Sequence, residues 1–444
     1  MSPETSTPPR RELGFWMCTA LVVGNTIGIG IFMMPAALAP YGFNALTGWG
    51  ITVVGCLFLA RVFARLAQLR PAADGPYTYI RSTLGHWPAF LSMWGYWVSN
   101  WITNATLAVS VVGYLNAVVP SLGQLPPALL ALAFLWLFVA INVLGTRAGG
   151  RVQVVCTALK LLPMVAVVLL GIWILLSDAG AYTRTVPATA VTFPQTMAAS
   201  TIALFAMLGL ESASVPAGRV RDPGRNIPRA TLVGTLLTAV IYILVSTVPL
   251  LLIPQAELAQ SSAPFVALLD HELGAGNGRW LALFVVVSGL GALNGWTLIG
   301  GNLTATMAAQ GDFPETFARL NRHGAPARAL LVCGVLASVM ILMNYSKSLV
   351  DGFVFLSTIV TAANLPLYLC SSLALIVMWN RGERPAGGDL RVLGTLGTAY
   401  AVLAFIGVGH EPFLWALALA IAGIPVALWT RRAGSGRSLA KSAP

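Results

Sequence analysis

The fold is decided by residues 13–39, which read LGFWMCTALVVGNTIGIGIFMMPAALA. About 20 apolar residues in a helix cross the roughly 30 Å hydrocarbon core of a bilayer, so this segment can span a membrane. Its middle carries Gly24, Gly28 and Gly30, and each glycine costs a helix interior about 1 kcal/mol relative to alanine. Unwound backbone at membrane depth is tolerated where it lines a protein-enclosed cavity. We therefore expect an interrupted membrane helix; the alternative is that the glycines let an intact helix pack closely.

A second segment has the same character. Residues 205–211 read FAMLGLE and lie in the sixth apolar span. Two interrupted helices five spans apart are the relation expected of two inverted five-helix repeats. The sequence identity between the two halves is too weak to demonstrate the repeat directly.

The composition excludes a soluble globular protein. Of the 444 residues, 57% are hydrophobic and only 9% are charged, whereas soluble domains carry roughly 25% charged residues. The net charge of +11 comes from bases in short loops, which is how topology is encoded in membrane proteins. We therefore expect the lipid bilayer as a partner and no nucleic acid.

The apolar segments predict an all-α integral membrane protein with twelve transmembrane helices. They lie at 13–39, 44–69, 86–119, 126–146, 151–177, 194–217, 229–253, 279–310, 329–346, 350–380, 392–409 and 411–431. Residues 1–12 and 432–444 are then tails on either side of one membrane domain at 13–431, and the second tail is expected to be disordered. A cleaved signal peptide is a weaker interpretation of the N-terminus, because its apolar segment is longer than the usual 7–15 residues.

The arginines of the connections predict the orientation. The even-numbered connections and the C-terminal tail are rich in basic residues, whereas the odd-numbered connections carry only Arg184, Arg279 and Lys347. Because cytoplasmic loops hold the excess of Lys and Arg, both termini are predicted to be cytoplasmic and the membrane is predicted to be a cell inner membrane.

Two ionisable residues lie deep in the apolar spans. Glu211 adjoins the second interruption, and such buried acids usually face a cavity or a partner; it could take up a proton or be a structural acid bonded to backbone. Lys160 lies roughly 13 Å into the fifth span at 1.5 Å per residue. It could occupy the place of a coupling ion or extend to the membrane surface.

The third span contains YWVSNWITN at 96–104. Asn100 and Asn104 are four residues apart and are predicted to share a helix face with Tyr96. Such a face can bind a ligand or pack against another helix. Trp296, in the eighth span, lies too deep for an interfacial tryptophan.

The sequence offers no sign of catalysis, metal binding or cofactor binding. The five cysteines lie in apolar segments without a C-x-x-C pair, and the known nucleotide-binding and hydrolase motifs are missing. We expect no metal, no cofactor and no enzyme activity.

The motifs make the chain similar to a known family, the amino acid–polyamine–organocation (APC) transporters. GNTIGIGIFMMP (24–35), DGPYTYIRSTLG (74–85) and GLESASVPAGRVRDPGRNIPRA (209–230) carry the resemblance, together with YWVSNWITN and GGNLTATMAAQGDFPETFARLN (300–321). The sequence most resembles the basic amino acid/polyamine antiporter branch, which includes the bacterial arginine/agmatine exchanger. The resemblance implies a LeuT-like five-plus-five inverted repeat with helices 1 and 6 discontinuous and helices 11 and 12 peripheral, and a homodimer is expected only on this ground.

The resemblance also implies a substrate site. The substrate carboxylate would bind the amides of Ile29 and Gly30, beside Gly28, and its amino group the carbonyls of Thr26, Phe205 and Leu208. Asn25, Asn104 and Trp296 match pocket positions, Glu211 matches a proton-sensitive acid and Tyr96 matches a gate.

Several positions depart from the arginine exchanger. Phe205 replaces a substrate-stacking tryptophan, Ile359 replaces a serine, and Ser99 and Asn100 replace pocket neighbours. Lys160 is similar to a lysine of proton-coupled, neutral amino acid branches. The expected function is exchange of a cationic amino acid for its amine by alternating access. A proton-coupled symporter of neutral amino acids is the alternative, and a channel or a non-transporting scaffold fits the interrupted helices less well.

Overall fold

The computed structural model describes residues 14–70, 75–145, 159–178, 180–184, 189–211, 220–344, 346–383 and 389–441. Within these ranges the chain forms α-helices joined by turns and short 3₁₀ segments. The helices are α1 Phe15–Thr26, α2 Gly30–Leu38, α3 Phe43–Leu69, α4 Pro76–Leu84, α5 His86–Val118, α6 Pro127–Val143, α7 Leu161–Ser177, α8 Ala181–Arg184, α9 Phe193–Ala206, α10 Pro223–Leu252, α11 Gln255–Gln260, α12 Pro264–Leu273, α13 Arg279–Ala309, α14 Ala327–Met343, α15 Leu349–Asn380, α16 Leu390–Gly407 and α17 His410–Lys441.

The helix lengths confirm a polytopic membrane architecture. Among the described residues, seven helices (α3, α5, α10, α13, α15, α16 and α17) are long and apolar enough to cross a bilayer, and α1 with α2 forms an eighth, bent by 48°. Three shorter apolar helices are α6, α7 and α14, and α9 lies in the remaining predicted span. A helix therefore occupies each of the twelve predicted spans, while the number of crossings stays a prediction.

The outer surface is apolar, as lipid contact requires. Leu176, Trp280 and Trp429 are 82%, 74% and 60% exposed. A water-soluble protein rarely exposes large contiguous apolar patches. These side chains are therefore placed to meet acyl chains and the membrane interface.

Helix α5 lies at the centre of the molecule. It packs along α15 and α13, while α3 packs on α9 and α10, and the residues of α5 from Trp97 to Tyr114 are all buried. A Cβ on Gly95 would lie 2.3 Å from the carbonyl oxygen of Ala363 in α15. Glycine at this position therefore permits the close helix approach common in membranes.

One hydroxyl group links three elements near one end of α5. The Tyr114 hydroxyl donates to the carbonyl of Phe32 in α2 at 2.8 Å and accepts from the amide of Phe265 in α12 at 3.3 Å. The rings of Phe32 and Phe265 also meet edge to face at 5.2 Å. The start of α12 is thus fastened to α2 through α5.

The C-terminal tail differs from the expectation. Helix α17 continues to Lys441, so the tail expected to be disordered is helical over residues 432–441, although Gly434 and Gly436 disfavour a helix there. The predicted tail at 1–12, Cys156, and the arginines at 147, 151, 219 and 384 lie outside the described residues. The other four cysteines are free thiols.

Candidate functional site

The first membrane segment is interrupted where the glycines predict it. Helix α1 ends at Thr26 and α2 begins at Gly30. No side chain caps the N-terminus of α2 among the described residues, and its first turn is closed by a bond from the amide of Phe32 to the carbonyl of Ile29 at 3.0 Å. The amides that open a helix have no partner within it, and they carry the positive end of the helix dipole. This end of α2 is suited to an anion such as a carboxylate.

The carbonyl end of α1 is held by two side chains, one from the residue that precedes α7 and one from α10. The ammonium group of Lys160 donates to the carbonyls of Gly24 at 2.5 Å and Ile27 at 2.6 Å, and the Tyr242 hydroxyl donates to the carbonyl of Thr26 at 2.8 Å. Lys160 is only 4% exposed. Its side chain therefore stays inside the protein and does not extend to the membrane surface.

The predicted second interruption begins at the end of α9, and residues 212–219, where the span would resume, lie outside the described residues. The helix ends at Ala206, and residues 207–211 continue as turns. Gly209 has a φ of +102°, and a Cβ there would lie 3.3 Å from the carbonyl oxygen of Asn25. Glycine is favoured here because this left-handed region strains residues with a side chain. The two interrupted segments therefore touch each other.

Phe205 closes over the first interruption. A Cβ on Gly30 would lie 2.6 Å from Cε1 of the Phe205 ring, and the ring also meets Phe353 of α15 edge to face at 5.7 Å. Gly30 therefore provides the space in which the aromatic ring lies.

Glu211 is buried beside two tyrosines. It is 2% exposed, and its Oε2 accepts a hydrogen bond of 3.1 Å from the hydroxyl of Tyr368 in α15. The hydroxyl of Tyr96 lies beside the same carboxyl group. An acid shared by α5, α15 and the segment after α9 can couple its protonation to the relative positions of these elements.

A small chamber lies between the interrupted segments, α5, α13 and α15. Its free volume is about 30 Å³, which is room for a water or two and less than an amino acid occupies. Of the predicted site residues, those that line it are Asn25, Thr26, Gly28, Gly30, Tyr96, Phe205, Leu208, Glu211 and Trp296. A second space of about 20 Å³ surrounds Lys160 and shares Asn25 and Trp296 with the first.

The remaining predicted residues lie elsewhere. The side chain of Ile29 points toward Gly289, although its backbone begins α2. Ser99 donates to the carbonyl of Tyr96 at 2.8 Å, and Asn100 faces Gly300. Asn104 accepts from the Thr297 hydroxyl at 3.2 Å.

The rotation of α5 explains this outcome. At 3.6 residues per turn, Thr103 and Leu107 lie roughly 20° from Tyr96 around the helix, whereas Asn104 lies roughly 80° away. Thr103 and Leu107 line the chamber with Tyr96. The asparagines face α13 instead, so their predicted contact with substrate has no support from this conformation.

Sequence reasoning missed several chamber residues. Tyr242 and Asn364 line it, and Tyr368 bonds Glu211. Each is a hydrogen-bonding side chain in an otherwise apolar span, which is the same signal that singled out Glu211.

Comparisons with known proteins identify the family of this chain. The sequence matches the model of the amino acid permease family over residues 13–430. It is 31% identical over 430 residues to a putative arginine/ornithine antiporter of Bacillus subtilis strain 168, covering 89% of this chain and 92% of the relative. It is 32% identical over 344 residues to the cadaverine/lysine antiporter of Escherichia coli K12, covering 76% of each.

A third relative is the putrescine transporter PotE of Escherichia coli K12, which is 29% identical over 407 residues, covering 91% of this chain and 92% of the relative. The family match, these relatives and the apolar helices agree. This chain belongs to the amino acid permease family of the APC superfamily and is an integral membrane transporter of small amino acid or amine substrates.

Proposed function

We propose that this permease is a secondary active antiporter, which exchanges a cationic, arginine-like amino acid for its agmatine-like amine by alternating access. The observation that carries the proposal is that the carbonyl ends of α1 and α9 meet at Asn25 and Gly209, close to the amide end of α2 at Gly30. Helix ends of opposite polarity therefore face the same chamber. The relatives named as arginine/ornithine and cadaverine/lysine antiporters support the class of substrate.

Each end would recognise one charge of the substrate. The carboxylate would bind the amides of Ile29 and Gly30, where the α2 dipole is positive. The amino group would bind the carbonyls of Thr26, Phe205 and Leu208. The Thr26 carbonyl already accepts from Tyr242, but a carbonyl oxygen has two lone pairs.

The substrate side chain would lie between aromatic rings. Phe205 and Trp296 both line the chamber, and a cationic side chain near an aromatic face gains roughly 0.5–2 kcal/mol. The chamber would have to enlarge for this, and Phe205 is the ring whose movement would open it. Glu211 would couple protonation to that movement by stabilising one of two states.

The wider architecture belongs to the same proposal. It includes twelve membrane crossings, a five-plus-five inverted repeat, cytoplasmic termini, a cell inner membrane and a homodimer. The arginine pattern and the family support these features.

The alternative function is a proton-coupled symporter of neutral amino acids. The bonds of Lys160 to the α1 carbonyls favour it, because a fixed cation there can take the place of a coupling ion. A channel fits less well, because the chamber is too small for a continuous pore.

Counterflow in liposomes tests the exchange. Vesicles containing the purified protein and loaded with arginine, agmatine, lysine, cadaverine or a neutral amino acid should take up labelled arginine only when a cationic counter-substrate is inside. Protein-free vesicles are the control. Uptake into unloaded vesicles that a protonophore abolishes would overturn exchange in favour of symport.

A further inference from the structure

A second, larger cavity lies away from the central chamber. It has a volume of about 300 Å³ and lies between α4, the start of α5, the end of α13 and α17. Its polar lining includes Arg81, His86, Asp312 and Thr430. None of these residues lines the chamber at the helix interruptions.

Asp312 gives one wall of this cavity a negative charge. Helix α13 ends in a Schellman turn, in which the amide of Asp312 bonds the carbonyl of Met307 at 2.9 Å and the amide of Gly311 bonds that of Ala308 at 3.2 Å. The carboxylate therefore lies at the negative end of the helix dipole, where an anion is destabilised. Asp312 is 4% exposed, and its buried Oδ2 accepts no hydrogen bond among the described residues. The Tyr77 hydroxyl is hydrogen-bonded to this carboxyl group, and a cation would satisfy the carboxylate oxygen that has no partner.

The opposite wall is basic. The guanidinium group of Arg81 lies over the ring of Tyr77, 5.8 Å from its centroid, and bonds its hydroxyl at 3.4 Å. Burial, and then the neighbouring Asp312 carboxylate, raise the pKa of Tyr77 to about 12, so Tyr77 remains a neutral donor at pH 7. A simple cation would be repelled by Arg81 and a simple anion by Asp312. A zwitterion with separated charges satisfies both walls.

Tryptophans place this cavity at the level of lipid headgroups. Trp87, next to His86, is 38% exposed, and Trp429, next to Thr430, is 60% exposed. Tryptophan is enriched where membrane meets water. Arg431 and Arg432 follow directly in the sequence. At this depth the abundant zwitterions are phospholipid headgroups.

An apolar cavity lies deeper along the same two helices. It has a volume of about 450 Å³ between α5, α15, α16 and α17, and its lining on α5 from Leu91 to Val98 lies roughly 8–18 Å from His86 along the helix. Phe413 and Leu417 in its lining are 41% and 44% exposed, so the cavity opens to the bilayer.

We propose that the two cavities form one site for an aminophospholipid. The lipid ammonium pairs with Asp312, the phosphate pairs with Arg81, and one acyl chain enters the apolar cavity. A free amino acid carries the same pair of charges without the acyl chain. The site is separate from the proposed transport function, and its test requires no transport.

Retention of lipid by the purified protein tests the site. The protein is equilibrated in mixed micelles with phosphatidylethanolamine or phosphatidylglycerol, and bound lipid is counted by native mass spectrometry. Because a hydrogen bond to a charged group contributes about 1.5–3 kcal/mol, Asp312→Asn should weaken phosphatidylethanolamine roughly tenfold or more and leave phosphatidylglycerol unchanged. Arg81→Gln, at an exposed position, should weaken both lipids. Ala416→Trp, which fills the apolar cavity, should also weaken both.

Asp351→Asn is the matched control, because it removes an exposed acid in the first turn of α15 and should leave lipid binding unchanged. Folding of each variant is checked by monodispersity, and Arg81→Gln keeps the test decisive if Asp312→Asn does not fold. Well-folded variants that retain phosphatidylethanolamine like the wild type would overturn the site. If a free amino acid displaces the bound phosphatidylethanolamine and Ala416→Trp has no effect, the occupant of the site is not a lipid.

Discussion

The two helix interruptions both contain glycine, three at the first and one at the second, but they have different partners. At the first, the carbonyl end is held by permanent donors, the ammonium group of Lys160 and the hydroxyl of Tyr242. At the second, the backbone turns at Gly209 and leads to Glu211, an acid whose charge can change. We infer that the donors at the first interruption stay the same throughout, whereas the charge at the second interruption changes when Glu211 gains or loses a proton.

The largest effect is expected at Lys160. Lys160→Met removes two charge-assisted hydrogen bonds from the α1 carbonyls, at about 1.5–3 kcal/mol each, so counterflow should fall roughly 100-fold or more. Lys347→Met is the matched control, because that ammonium group lies over the Phe355 ring, 3.6 Å from its centroid, away from the chamber. Near-normal counterflow by a well-folded Lys160→Met protein would show that the first interruption does not depend on a fixed cation.

The next largest effect is expected at Gly30. In Gly30→Ala the new methyl group would lie 2.6 Å from the Phe205 ring, and overpacking of this kind costs roughly 1–3 kcal/mol. We expect about a tenfold loss of substrate affinity, measured by equilibrium binding, which Phe205→Leu should partly restore in the double variant. Gly50→Ala is the control, because a Cβ there has nothing within 4 Å. If Phe205→Leu does not restore substrate affinity, the loss arises from a change in α2 and not from contact with the Phe205 ring.

The third prediction concerns Glu211, the acid at the second interruption. Glu211→Gln is permanently neutral and mimics the protonated acid, so counterflow should lose its dependence on pH and remain at the level that the wild type shows in acid. The rate is measured between acidic and neutral pH, with Glu257→Gln at an exposed position as the control. A pH profile that stays the same as the wild type's would assign the proton to another group.

The smallest effect is expected at Tyr242. Tyr242→Phe removes one neutral hydrogen bond to the Thr26 carbonyl, worth about 1 kcal/mol, so affinity should fall about fivefold. Tyr182→Phe, which removes a 2.7 Å bond to the Gly171 carbonyl outside the chamber, should leave affinity unchanged. If Tyr242→Phe reduces transport as much as Lys160→Met does, the tyrosine hydroxyl and the lysine ammonium group are equally necessary at the end of α1.

The sequence located the helices and their first interruption because both depend on local composition. Apolar length marks a span, and the three glycines from Gly24 to Gly30 mark the place where a helix stops. Local composition does not determine which face of α5 points toward the chamber. Tyr96, Thr103 and Asn104 are all compatible with a polar face, and only the packing of Thr297 against Asn104 decides which side faces the chamber.

The partner of Lys160 was beyond sequence reasoning for a similar reason. A lysine deep in a span can extend to the surface or bind inside the protein, and the two outcomes have the same hydropathy. The choice depends on carbonyls more than 130 positions away in the chain, at Gly24 and Ile27. Only the tertiary structure brings them together.

The Tyr114 hydroxyl has a consequence for motion. Because this one oxygen bonds both Phe32 of α2 and Phe265 of α12, α2 cannot tilt without either breaking a bond or carrying α12 with it. A spin label on the exposed side of α12 would therefore report the tilt of α2, and Tyr114→Phe would weaken that link to the direct contact between the Phe32 and Phe265 rings while leaving the chamber residues unchanged.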